Sequence, residues 1–281
     1  MKRIHTNTIM VAIVSFLWSS IYYLNSPYLE GNIKPFVYRA LVPMLARGLE
    51  FAGIPSSISL VLVMTLSGVG FYLALRKLAR AFVELSDWQE LGIMVGVIIS
   101  MLVLGQWRTP YDLMTALLFT LAFYYIFEVR VWKYLVVFTL ACINRETAFL
   151  LIPISAIAWS IRYDRYQRIV LENSIYPVGI FVVTTLFIRS YYSDYPGLPL
   201  WIDPMGNLIQ LTLHPYSVVL GILLVIGMGL WMFRKPQPAF LRLSFFILAP
   251  ALLVMWVVCG QWSEPRVFWE LAPVVILLMV L

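Results

Sequence analysis

The stretch ACINRETAFLLIP, residues 141–153, sets Asn144, Arg145, Glu146 and Thr147 in the middle of an otherwise apolar run. Ionisable side chains at membrane depth are costly, and their presence there points to function. The basic residues on either side decide how the stretch is read. Arg130 and Lys133 precede it, and Arg162, Arg165 and Arg168 follow it. Lys and Arg accumulate in cytoplasmic loops, so both flanks belong on one side, and the chain between them must enter and return. As a helix, Tyr134 to Ile143 extends only about 15 Å, half of a hydrocarbon layer about 30 Å thick. Residues 134–161 are therefore expected to form a hairpin of short helices with its apex at 144–147. The rival is a single kinked helix of about 28 residues, which would set the two basic clusters on opposite sides and reverse every later loop.

The composition places this hairpin in a membrane. Hydrophobic residues make up 62% of the chain and charged residues 12%, with a mean hydropathy of +0.87, whereas a soluble domain carries about 25% charged residues. The apolar runs are about 15 to 20 residues long, near the length that crosses a bilayer as an α-helix. They are too continuous for membrane β-strands, which alternate every second residue. Sixteen Tyr and ten Trp suit the two interfacial belts. The net charge of +6 comes from small clusters between apolar runs and makes no continuous stripe, so nucleic acid is not an expected partner. Cys142 and Cys259 both lie inside apolar segments, which argues against a disulfide framework or a thiolate zinc site.

The expected fold is all-α: one polytopic transmembrane helical bundle, residues 1–281, with about eight to ten membrane segments. Spans are expected near 8–24, 56–75, 91–105, 112–128, 175–189, 217–233 and 243–258, with the hairpin pieces 134–143 and 148–161 between them. The first span follows Met1 to Arg3 and lacks a small-residue cleavage site after Leu24, so it reads as uncleaved. Lys2 and Arg3, then Arg76, Lys77 and Arg80, then the clusters around the hairpin, then Arg234, Lys235 and Arg242 fall on alternate loops. That alternation puts the N-terminus in the cytoplasm and suggests a multi-pass protein of the plasma (inner) membrane. Leu271 to Leu281 is apolar but too short to span.

On this orientation the outer segments are a structured loop at 25–55, residues 106–111, the apex, a loop at 190–216, and residues 259–270. Besides the apex, three of them pair acids with bases. PYLEGNIKPFVYRALVP (27–43) carries Glu30 and Arg39 among prolines and aromatics. QWRTPYD (106–112) carries Arg108 and Asp112; Asp112 stands where it can cap the next helix or serve a site. QWSEPRVFWE (261–270) carries Glu264, Arg266 and Glu270, the last two one turn apart and able to pair on a helix face. Arg145 and Glu146 are read either as a buried ion pair anchoring the hairpin or as part of the same outward-facing set. His214, Asp194 and Asp203 read as structural or turn residues, and with no second outer His a histidine metal site is not expected.

The sequence has no glycine-rich phosphate loop, no HExxH, no GxSxG elbow and no run of inward-facing charges marking a proton relay. What remains is arginines suited to phosphate and carboxylates suited to general-base work, which together suggest handling of a lipid-linked phosphate.

The cytoplasmic start, the acid-bearing outer loop after span one and the charged junction of short helices resemble the GT-C glycosyltransferases in layout, over about residues 8–270. The resemblance implies a membrane enzyme that moves a hexose or pentose, with inversion, from a polyprenyl-phosphate donor to an acceptor at the outer face. It implies Glu30, or else Asp112 or Glu146, as the catalytic base. Arg145 and Arg266, with Arg39, would stabilise the leaving phosphate, and Arg108, Asn144, Glu264 and Glu270 complete the substrate-binding candidates. The expected partners are membrane lipid and the polyprenyl-phosphate-linked sugar; no metal site or cofactor is assigned, and divalent-metal use stays open. Two other classes fit the broken helices: a transporter or flippase of an anionic lipid or small anion, and a non-catalytic membrane assembly subunit.

Overall fold

The structure, a computed structural model, describes residues 2–25, 39–104, 111–162, 167–195, 227, 229–230, 237–259 and 268–281. Glu30, Arg108, Glu264 and Arg266 lie outside these residues, as do Asp203, His214 and nearly all of the expected span at 217–233. The described chain is all-helical: α1 (Lys2–Asn25), α2 (Leu41–Phe51), α3 (Ser56–Arg80), α4 (Asp87–Leu104), α5 (Asp112–Phe127), α6 (Val131–Asn144), a 3-10 turn (Glu146–Leu150), α7 (Leu151–Arg162), α8 (Gln167–Tyr191), α9 (Ala239–Cys259) and α10 (Ala272–Val280). Three described stretches, Ser56–Arg80, Ser174–Tyr191 and Ala239–Trp256, are long and apolar enough to cross a membrane.

Helix α3 lies at the centre, packed on α1, α2, α4 and α5. Small residues let these helices approach closely, the usual device where lipid supplies no hydrophobic drive between helices. A Cβ on Gly68 would stand 2.4 Å from Ser15 Oγ of α1, and one on Gly96 of α4 would stand 2.8 Å from Ile276 Cγ2 of α10. The second contact seats the apolar stretch 271–281 against α4. Helix α10 has nine residues, yet Val274, Ile276, Leu277 and Leu278 are buried. It packs into the bundle interior beside α4.

The hairpin is present. Helix α6 ends at Asn144, Arg145 is extended (φ −161°, ψ 138°), and the chain turns back through the 3-10 turn into α7. Tyr134 Oη lies 3.3 Å from Leu151 O and 3.2 Å from Ser155 Oγ, and its ring meets Trp159 edge-on at 5.4 Å. In one continuous helix Tyr134 and Trp159 would be about 37 Å apart. Trp159 Nε1 also donates to Ile126 O at the end of α5, which fastens the return helix to its neighbour.

The two ends of the bundle differ in chemistry. One gathers Arg76, Arg80, Arg130 and Lys133, closed by an aromatic cluster of Phe82, Phe123, Phe127 and Phe240. The other gathers the hairpin apex, the starts of α2, α5 and α10, and the end of α8. Helix α2 sits at that second end as an amphipathic element, with Leu41, Val42 and Ala46 buried and Met44, Leu45 and Phe51 exposed.

Candidate functional site

Arg145 is the hub of the second end. Its Nη1 lies 3.2 Å from Glu270 Oε1 and 3.7 Å from Asp112 Oδ1. Arg145 is 5% exposed, and Asp112 and Glu270 are fully buried. Helix termini explain how three charges are held inside the bundle. Asp112 is the first residue of α5 and Glu270 stands just ahead of α10, so each carboxylate meets the positive end of a helix dipole. Arg145 follows the last residue of α6, where the dipole is negative. Asp112 thus lies inside its helix, and the N-cap position belongs to Tyr111.

Hydrogen bonds lock the surrounding frame. Asn144 Nδ2 donates to Tyr111 O at 3.2 Å and to Thr115 Oγ1 at 2.8 Å, tying the end of α6 to the first turn of α5. Thr147 Oγ1 donates to Glu270 Oε1 at 2.5 Å. Ala40 N–H donates to Ile143 O at 3.0 Å, so a carbonyl orphaned by the end of α6 is satisfied by the segment leading into α2. Arg39, partly exposed beside it, donates to Tyr111 Oη at 2.5 Å, with its guanidinium 4.5 Å above the Tyr111 ring centroid. Among the described residues, Glu270 Oε2, Asn144 Oδ1 and Trp269 Nε1 are buried with no hydrogen-bond partner.

Five of the sequence candidates, Arg39, Asp112, Asn144, Arg145 and Glu270, therefore form one connected set. Glu146 does not join it. Its carboxylate pairs with Arg189 of α8 at 3.0 Å, and both side chains are substantially exposed. The local Arg145–Glu146 pair is thus replaced by longer-range ones, with Arg145 on Asp112 and Glu270 and Glu146 on Arg189; of the expected Arg266–Glu270 pair, Arg266 lies outside the described residues. Tyr111, Thr115 and Thr147 complete the set and carried no charge pattern to mark them; Tyr111 and Thr147 do adjoin Asp112 and Glu146 in sequence. Among the described residues no group of three His, Cys, Asp or Glu side chains is placed to hold a metal ion.

A second ion cluster, at the basic end, with Arg76 and Glu90 largely buried and Arg80 half exposed, was also not legible. Arg76 reaches Glu90 Oε1 through Nε at 3.0 Å and Nη2 at 2.9 Å, and Arg80 Nη2 reaches the same oxygen at 2.8 Å. It joins α3 to α4, where the basic run alone read as a topology signal. No family model, curated protein or solved structure matches the chain.

Proposed function

We propose that this chain is a membrane glycosyltransferase that takes a sugar from a polyprenyl-phosphate donor at the end of the bundle holding Arg145, and that this end faces outward with the N-terminus in the cytoplasm. The observation that supports the reading is the Asp112–Arg145–Glu270 triad, drawn from three distant segments to a helix break. Glu270 uses one oxygen on Arg145 and Thr147, while Oε2 has no hydrogen-bond partner among the described residues. That oxygen is the base: it accepts the proton of the acceptor hydroxyl as the hydroxyl oxygen attacks the anomeric carbon and the prenyl phosphate departs. Arg145, already flanked by two carboxylates, orients Glu270 through its 3.2 Å contact with Oε1. Arg39, partly exposed against the buried Tyr111 ring, meets the phosphate.

A second reading rests on the complete burial of both carboxylates: the triad fixes the packing of α5, α6 and α10 and does no chemistry. The two readings separate on Glu270→Gln, assayed in detergent with synthetic short-chain prenyl-phosphate hexoses and pentoses by release of prenyl phosphate. The transferase reading expects release to fall by about a hundred- to ten-thousand-fold with the melting temperature little changed. Release at the wild-type rate by folded Glu270→Gln protein would leave only the structural reading.

A further inference from the structure

The turn between α5 and α6 holds a second candidate site at the opposite end of the bundle. A cleft of about 580 Å³ is lined there by Val129, Arg130, Val131, Trp132, Lys133, Leu135 and, from α8, Tyr176. Its floor is apolar, since Leu135 is buried. Its rim carries two cations, and Trp132 and Tyr176 are 78% and 53% exposed. Arg130 is only loosely engaged, 3.6 Å from Glu128 with half its side chain exposed, and Lys133 Nζ lies 6.0 Å from the Tyr125 ring centroid.

The backbone of this turn is strained. Arg130 N–H donates to Tyr125 O and Val129 N–H to Ile126 O, the paired bonds that close a helix through a left-handed residue, normally glycine. Here that residue is Val129 at φ 57°, a conformation disfavoured for a β-branched side chain. Glycine would relieve the strain, but it would remove a wall of the cleft. Strain retained at such a position points to function.

We propose that this cleft binds an anionic phospholipid of the leaflet at the basic end, with Arg130 and Lys133 on the headgroup phosphate. Trp132 and Tyr176 flank the glycerol region, and Leu135 and Val129 meet the first acyl carbons. The inference rests on the membrane reading of the bundle and is independent of the transferase reading. Paired cations beside interfacial aromatics form a lipid-headgroup chemistry, and the apolar floor selects a lipid over a free anion.

Native mass spectrometry of the purified full-length chain in a non-ionic detergent tests this, with phosphatidylglycerol, phosphatidylcholine or inorganic phosphate added at equal concentration. The wild type is expected to retain phosphatidylglycerol about tenfold more than phosphatidylcholine, and not to retain inorganic phosphate. Arg130→Gln with Lys133→Gln should abolish the preference. Trp132→Ala and Val129→Gly, which leave the charge unchanged, should weaken retention of phosphatidylglycerol. Lys77→Gln with Arg242→Gln, basic residues outside the cleft, should leave the preference intact. Equal retention of the two lipids, phosphate bound as well as lipid, or equal loss from Lys77→Gln with Arg242→Gln would overturn the proposal.

Discussion

Arg145 and Glu146 are adjacent in the chain yet have separate roles, and the cause is one backbone conformation. Because Arg145 is extended, successive side chains diverge; Arg145 turns into the bundle and Glu146 turns out to Arg189. Their substitutions should therefore differ in cost. Arg145→Ala leaves two carboxylates buried together without their cation, a loss of roughly 3–5 kcal/mol. Glu146→Ala breaks an exposed pair worth about 1 kcal/mol or less. Chemical unfolding of the two variants in the same detergent measures the difference, and equal losses would contradict the buried-hub assignment. The reason the sequence pointed elsewhere is also local. Spacing makes only neighbours along the chain visible, so Glu146 stands out as a partner for Arg145, whereas contacts between residues 112, 145 and 270 exist only once α5, α6 and α10 are packed.

For whole elements, legibility followed the length and charge of each segment. The hairpin at 134–161 was readable because basic clusters bracket it and each arm is too short to span; α6 has 14 residues and α7 has 12. The seat of α10 was not readable, because an apolar run does not say which helix it packs against. What admits α10 is the missing side chain at Gly96, and what brings α1 onto α3 is the missing side chain at Gly68. Gly68→Leu should force α1 away and cost about 1–3 kcal/mol by overpacking. Gly48→Ala in α2, where a Cβ meets nothing within 4 Å, should leave stability equal or raise it by up to about 1 kcal/mol. Thermal melts of both variants check the pair; a Gly68→Leu protein as stable as wild type would contradict the close packing of α1 on α3.

At the scale of the molecule, the bundle is polarised, with arginine and lysine clusters at one end and a buried acid–base set at the other. The orientation proposed for it can be tested without substrate. Ser56→Cys, exposed at the start of α3, should react with a membrane-impermeant maleimide on intact cells. Ser86→Cys, exposed between α3 and α4, should react only after permeabilisation. The reverse pattern would invert the molecule and place the triad on the cytoplasmic side. The central claim is that the Arg145 end receives a prenyl phosphate, and its most direct test is photocrosslinking with a prenyl phosphate that carries its photoreactive group next to the phosphate. Peptide mapping should locate label within 39–56, 111–115, 144–150 or 268–272, displaced by unlabelled prenyl phosphate. Label confined to 129–135 and Tyr176, or label that competitor does not displace, would contradict the account.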